Sequence, residues 1–197
     1  ALKGYSTFTS ANKTRTPMIY VGGNDGMLHG FSAADGSEKI AYVPQGVIPS
    51  LTRLTNPTYN QKHRFFVDGS PMTGDVDMGA GVQDPDAPNY DPTYSPTWRT
   101  LLVGTLGAGG KGYFVLDVTD PNAFLEANAS TLVKLDRTRS TEAGTTPNCA
   151  LTTMSSAEKA ACNKATTEDK DIGNITARPV LDDTNPMRTT QITRMNN

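Results

Sequence analysis

Two stretches of the chain follow one plan, and that internal repeat limits the fold more than any other feature. Met18-Ile19-Tyr20-Val21-Gly22 is a short run of β-branched and aromatic residues, and Gly23-Asn24-Asp25-Gly26 interrupts it. Met27 to Ala33 then reads as a return strand, and Asp35-Gly36 as the next turn. Farther on, Trp98 to Gly104, a glycine-rich turn, Tyr113 to Thr119 and Asp120-Pro121 follow the same order. Val21 aligns with Val103 at an offset of 82, and Phe31 with Leu116 and Asp35 with Asp120 at 85. A plain propeller blade takes about 40–50 residues, so this spacing suits one decorated blade or two plain ones. Strand–turn–strand units repeating with Gly and aromatic markers point to a β-propeller, in which each unit buries its faces only against its neighbours.

The turn chemistry supports this reading. An Asp-Gly pair between apolar runs is a strong hairpin signal, because a type I′ turn needs φ > 0 at both central residues. Asn24-Asp25-Gly26 and Asp35-Gly36 therefore predict tight turns, and Ile40-Ala41-Tyr42-Val43-Pro44 a third strand. Three such strands make a meander. From Gln45 to Tyr59, Val47, Ile48, Leu51 and Leu54 allow one or two helical turns between Pro49 and Pro57. His63 to Gly69 predicts another strand. Residues 74–97, rich in Asp and Pro, predict a long excursion loop. Gly109-Gly110 lies at the heart of the Gly107–Gly112 turn, and Asp120-Pro121 closes the second unit.

The opening, Ala1 to Pro17, has no periodicity and reads as an approach segment. Beyond Lys134 the character changes. Residues 137–171 form a polar, Thr-rich insertion with one expected short helix, capped by Ser155 or Ser156 ahead of Ala157–Ala161. Residues 172–183 and Thr189–Met195 read as further strands.

Several function classes are disfavoured. No apolar run approaches the roughly 18 residues of a membrane span, and no basic segment leading into an apolar one suggests a signal peptide within the chain. With 18 Lys+Arg against 20 Asp+Glu, the formal net charge is −2, which offers no basic footprint for nucleic acid.

Cys149 and Cys162, thirteen positions apart, lack the C-x-x-C spacing and neighbouring His of a zinc site. A disulfide closing this insertion would staple a segment with little core of its own and would imply an oxidising compartment. Two free thiols remain the alternative. Lys111 in its glycine-rich turn fails as a phosphate loop, because Thr105 stands where the first Gly belongs and Gly112 where Ser or Thr must follow. Asp75 and Asp77 could begin a calcium loop, but Gly79, Ala80 and Asp86 occupy the positions that require other residues. For catalysis the inventory is thin. His29 and His63 have no metal spacing, and no Ser sits in a Gly-x-Ser-x-Gly elbow. Asp25, Asp35, Asp68 and Asp120 stand beside Gly or Pro, where carboxylates bond nearby backbone N–H groups. Trp98 is expected to anchor a blade interface.

The run Ile19 to Phe31 resembles the opening of the propeller in PilC/PilY-type proteins of bacterial type IV pili. Arg64 to Gly69, Trp98 to Gly104 and Gly107 to Pro121 follow in the family's order. The similarity runs from about Met18 to Pro121 and resumes near Ile172. It implies an all-β, quinoprotein-like β-propeller, of which residues 1–197 would be the opening part, an incomplete set of blades with insertions at about 74–97 and 137–171. It further implies a secreted protein of the periplasm or cell surface, located at the pilus tip. Its partners would be minor pilins or the pilus machinery, and a host or abiotic surface. Such proteins serve pilus assembly, retraction control and adhesion. A calcium loop known in some members is expected outside this chain, so the segment itself is expected to hold no cofactor. A second reading is a quinoprotein dehydrogenase holding PQQ and calcium. That would need convergent acids, Arg and stacking Trp residues, and the chain has one Trp.

Overall fold

The computed structural model describes residues 3–79, 86, 88–140, 149, 152, 155–168 and 170–180. Its strands form two antiparallel meanders. β1 (Met18–Gly22), β2 (Leu28–Ser32) and β3 (Glu38–Tyr42) pair in the order β1-β2-β3. β4 (Met72–Asp77), β5 (Trp98–Thr105), β6 (Tyr113–Asp117) and β7 (Val133–Asp136) pair in the order β4-β5-β6-β7. The second meander has the four strands of a propeller blade.

Strand periodicity explains the first sheet. In β2, Leu28, Gly30 and Ser32 are buried while His29 and Phe31 are half-buried, as alternation of side chains across a pleated strand requires. Leu28, Phe66, Leu102, Leu106, Phe114 and Leu116 belong to one core cluster, drawn from both sheets and from the segment that links them. The aromatic ring of Tyr42 meets that of Phe114 at 5.2 Å, across the same junction.

The repeat is real but its register differs from the expected one. Gly22 pairs with Leu28 and Gly104 with Phe114, so β2 and β6 correspond at an offset of 86 rather than 85. Leu28 and Phe114, both fully buried, are the equivalent positions. The turns also differ from type I′. Gly26 (φ 99°) and Gly36 (φ 73°) take left-handed conformations, but among the described residues only glycines do, so Asp25 and Asp35 do not. Instead, Asp25 Oδ1 accepts from the Met27 amide (3.2 Å), and Asp35 Oδ1 accepts from the Ser37 amide (3.1 Å) and hydroxyl (2.8 Å). A side-chain bond thus replaces the second positive φ.

Other expectations change as well. The opening segment contains a helix, α1 (Tyr5–Ala11), because Tyr5 and Phe8 find a tertiary partner in Trp98, at 4.7 Å and 6.4 Å. The expected loop at 74–97 begins as strand, since β4 runs along β5 through Asp77. Residues 63–69 form no strand. Val133–Asp136 forms a strand that the polar sequence after Lys134 hides, and α2 (Ala129–Leu132) precedes it. The insertion helix, α3 (Ser156–Glu168), is longer than expected. Residues 172–180 are not strand, and Thr189–Met195 lies outside the described residues. The expected helical turns after Gln45 are present as a 3-10 helix over Ile48–Thr55.

Candidate binding surface at one end of the sheets

β1, β3, β5 and β7 all reach the same end of the two sheets at their C termini, and the repeated turns converge there. The linking segment, expected as a strand, passes between the two glycine turns and bonds to both. The Val67 amide donates to Gly23 O (3.2 Å), the Phe66 amide to Asn24 Oδ1 (3.2 Å), and the Asp68 amide to Leu106 O (3.2 Å). Asp68 Oδ2 accepts from the Ala108 amide (3.3 Å). Gly109 must be glycine, because a Cβ there would stand 1.9 Å from Phe66 O. Gly110 is extended (φ 176°), and a Cβ there would stand 2.5 Å from the buried Leu106 side chain. Asn174 Nδ2 closes the turn by donating to Gly107 O and Gly110 O, each at 2.9 Å. Three stretches far apart in sequence therefore form one hydrogen-bonded knot, with no strand needed to join them.

A second fastening joins β3 to β7. Asp136 Oδ1 accepts from the Thr138 amide (2.9 Å) and hydroxyl (2.5 Å). Its other oxygen, Oδ2, accepts from Tyr42 Oη (2.6 Å) and the Gln45 amide (2.7 Å). The Gly46 amide donates to Thr138 Oγ1 (2.8 Å). Burial raises the Tyr42 phenol's pKa, and the Asp136 charge adds to the rise. The sequence reading missed Asp136. A signal was present: Asp35-x-Ser37, Asp117-x-Thr119 and Asp136-x-Thr138 all end strands or open turns, with the same carboxylate-to-amide and carboxylate-to-hydroxyl bonds.

Beside the knot, His29 lies between two carboxylates. Its Nδ1 is 2.5 Å from Glu38 Oε1 and its Nε2 is 2.8 Å from Asp25 Oδ2. Both contacts are hydrogen bonds only when both ring nitrogens carry protons. The Glu38 bond raises the His29 pKa above its ordinary value, partial burial opposes it, and Asp25 adds to the rise. His63, on the far side of the same turn, faces Asn24 Nδ2 at 3.5 Å.

The remaining singled-out residues are at the opposite end or in the insertion. Asp35 and Gly36 turn β2 into β3, and the Ser37 hydroxyl holds the Asp35 pKa down to about 2. Asp120 Oδ1 accepts from the Asn122 amide (2.9 Å), and Pro121 is buried at the start of a 3-10 turn. Cys149 and Cys162 are joined in a disulfide, with Cα atoms 5.5 Å apart. Asp75 and Asp77 belong to β4, and both carboxylates are taken up by the protein. Asp75 accepts from Tyr5 Oη (2.9 Å) and Thr100 Oγ1 (2.6 Å), and Asp77 from Tyr94 Oη (2.7 Å) and the Gly79 and Thr97 amides. Among the described residues, no group of three or more His, Cys, Asp or Glu could hold a metal ion, and no helix is long and apolar enough to cross a membrane. Trp98, expected to anchor a blade interface, stands at the start of β5, packs on α1 and donates from Nε1 to Lys3 O (2.9 Å).

Comparison with known proteins agrees with these motifs. The type IV pilus biogenesis factor PilY1 of Pseudomonas aeruginosa strain PAK is 48% identical over 118 residues, 59% of this chain and 9% of that protein. A PilY1 homolog of Xylella fastidiosa strain Temecula1 is 42% identical over 118 residues, 60% of this chain and 8% of the relative. The chain thus spans under a tenth of these relatives' length. A crystal structure of the Pseudomonas aeruginosa PilY1 C-terminal domain matches with 42% identity and a TM-score of 0.39, covering 60% of this chain and 19% of that one. The model of the PilY1 beta-propeller domain family matches residues 2–149, three quarters of the sequence, and the chain belongs to that family.

Proposed function

We propose that this chain is a non-enzymatic propeller segment serving type IV pilus biogenesis, and that it acts by presenting surfaces on a rigid double sheet. The family membership over residues 2–149 carries this reading. The fate of the polar side chains supports the non-enzymatic part. Asp68, Asp75, Asp77, Asp120 and Asp136 all bond to neighbouring protein donors, a use that builds a scaffold rather than a reacting centre. The disulfide suits an exported protein of the periplasm or cell surface. Its partners in this reading are minor pilins or the pilus machinery at the tip, and a host or abiotic surface. Calcium, where the family uses it, is held outside this segment. The quinoprotein alternative lacks support here, because the one tryptophan is committed to α1.

The test replaces the full-length protein in its native host with a version carrying Asp136→Ala, alongside wild type and a deletion. Sheared surface pili and the zone of surface motility are then measured. The reading expects few or no pili in the deletion, full recovery with wild type and partial recovery with Asp136→Ala. Normal piliation in the deletion strain would overturn it.

A further inference from the structure

The turn between β1 and β2 holds the linking segment and is itself held by a histidine. Gly23 and Asn24 grip that segment, through the Val67 amide on Gly23 O and the Phe66 amide on Asn24 Oδ1, each at 3.2 Å. The next residue, Asp25, uses its carboxylate twice. Oδ1 accepts from the Met27 amide (3.2 Å), and Oδ2 meets His29 Nε2 (2.8 Å). The other ring nitrogen, Nδ1, is 2.5 Å from Glu38 Oε1, so His29 ties the turn to β3. A Cβ at Gly23 would stand 2.5 Å from Asp25 Oδ1 and 3.3 Å from His29 Nε2. The gripping residue thus lies directly against the pair.

A carboxylate only accepts, so both contacts hold only for the doubly protonated ring. Once the ring loses a proton, a nitrogen lone pair faces a carboxylate oxygen across a hydrogen-bond distance, and that contact becomes repulsive. The Glu38 contact is the shorter, so Nδ1 keeps its proton and the pair with Asp25 breaks. The ring stacks on Phe31 at 5.8 Å and 13°, which opposes its turning away. Asp25, half-exposed on the turn, moves instead. Among the described residues, the charged groups acting on the ring are Asp25 on the turn and Glu38 on β3. Lys39, next on β3, acts on Asp35 at the other end of the sheet. β1 places the apolar Val21 opposite His29, and the linking segment brings His63, which meets Asn24.

We propose that His29 is a pH-operated latch on the junction between the two sheets. Protonated, it holds Asp25 and keeps the Gly23–Gly26 turn closed on the linking segment. Neutral, it repels Asp25, and the turn loosens its grip on Phe66 and Val67. The latch is closed below the midpoint of the ring and open above it.

The test follows the intact chain by NMR from pH 5 to pH 8.5, with His63→Gln throughout so that His29 is the one titrating imidazole. The Phe66 and Val67 amide protons should move upfield, as their bonds lengthen, with the midpoint of the His29 ring itself. The Leu102 and Phe114 amides should stay in place. Asp25→Asn separates a latch from the mere field of the ring's charge. Its side-chain amide donates to the neutral ring while its oxygen keeps the Met27 amide, so the turn stays closed at pH 8. There the Phe66 and Val67 amides should exchange with solvent about two- to fivefold more slowly than with Asp25 in place, on the scale of one exposed charge pair. A His29 titration that leaves the Phe66 and Val67 shifts unmoved would overturn the proposal. So would equal exchange at pH 8 with and without Asp25→Asn. Both readouts use purified protein, so the result is independent of piliation.

Discussion

Strands β1 and β5 begin from similar apolar runs and end in different surroundings. In β5, Leu101 and Leu102 point to opposite faces and are 5% and 0% exposed. In β1, Ile19 and Val21 share one face and are 58% and 46% exposed. A strand buried on both faces needs cover on both; the core cluster that holds Leu102 covers one face of β5, Leu101 is covered on the other, and β4 and β6 pair with its two edges. β1 is an edge strand paired only with β2 among the described residues. The difference teaches that a strand's apolar residues state how much cover it can use, whereas its neighbours decide how much it receives.

The comparison can be broken most severely at Phe114, where both sheets meet. Phe114→Ala should cost about 3–5 kcal/mol, seen as a lower urea midpoint. A loss below 1 kcal/mol would mean that the sheets do not share a core. Next in size is the insertion. Replacing Cys149 and Cys162 by Ser should cost about 3 kcal/mol in chain entropy, and hydrogen exchange should show faster opening of α3 while β5 and β6 stay protected. Equal loosening everywhere would tie the insertion to the sheets.

The fastening between the sheets comes third. Asp136→Ala should cost about 1.5–3 kcal/mol, the range for hydrogen bonds to a charged group. It should also lower the pKa of Tyr42, because Asp136 holds the phenol's proton on; ultraviolet titration of the tyrosines reads this. A Tyr42 titration identical in the variant would remove the proposed contact.

A smaller effect is expected at His29, on the more exposed sheet. Its pKa is raised in the folded state, so the stabilisation is fully present below the unfolded value of about 6.5 and is lost as pH climbs through the folded value. For so open a cluster the difference should be roughly 0.2–1 kcal/mol. Melting temperatures across that window should fall in wild type and stay flatter in His29→Gln. A fall of equal size in both would assign the pH dependence elsewhere. Smallest of all, Val21→Thr on the open face of β1 should change stability by less than about 0.5 kcal/mol. A larger loss would reveal cover over that face.

Much of the architecture was legible along the chain. The apolar runs at 18–22, 27–33 and 98–104, and the Gly and Asp between them, are local facts, since side-chain alternation and turn chemistry act over a few residues. α1 was illegible because Tyr5 and Phe8 are committed by Trp98, at least 90 residues away. β7 was hidden because Val133-Lys134-Leu135-Asp136 is too short and polar to announce a strand without β6 beside it. The linking segment misled in the other direction. Phe65-Phe66-Val67 has a strand's composition, yet the Phe66 and Val67 amides bond to one turn and the next amide, Asp68, to the other.

By itself, then, the sequence determined the family, the hairpin plan and the residues able to turn, because these rest on short-range chemistry and on ordered motifs. Only the tertiary structure decided the β2–β6 offset, the union of the three glycine and aspartate stretches in one knot, and the dual use of Asp136. Those outcomes depend on groups distant in sequence meeting at hydrogen-bond and van der Waals range, which no local pattern encodes.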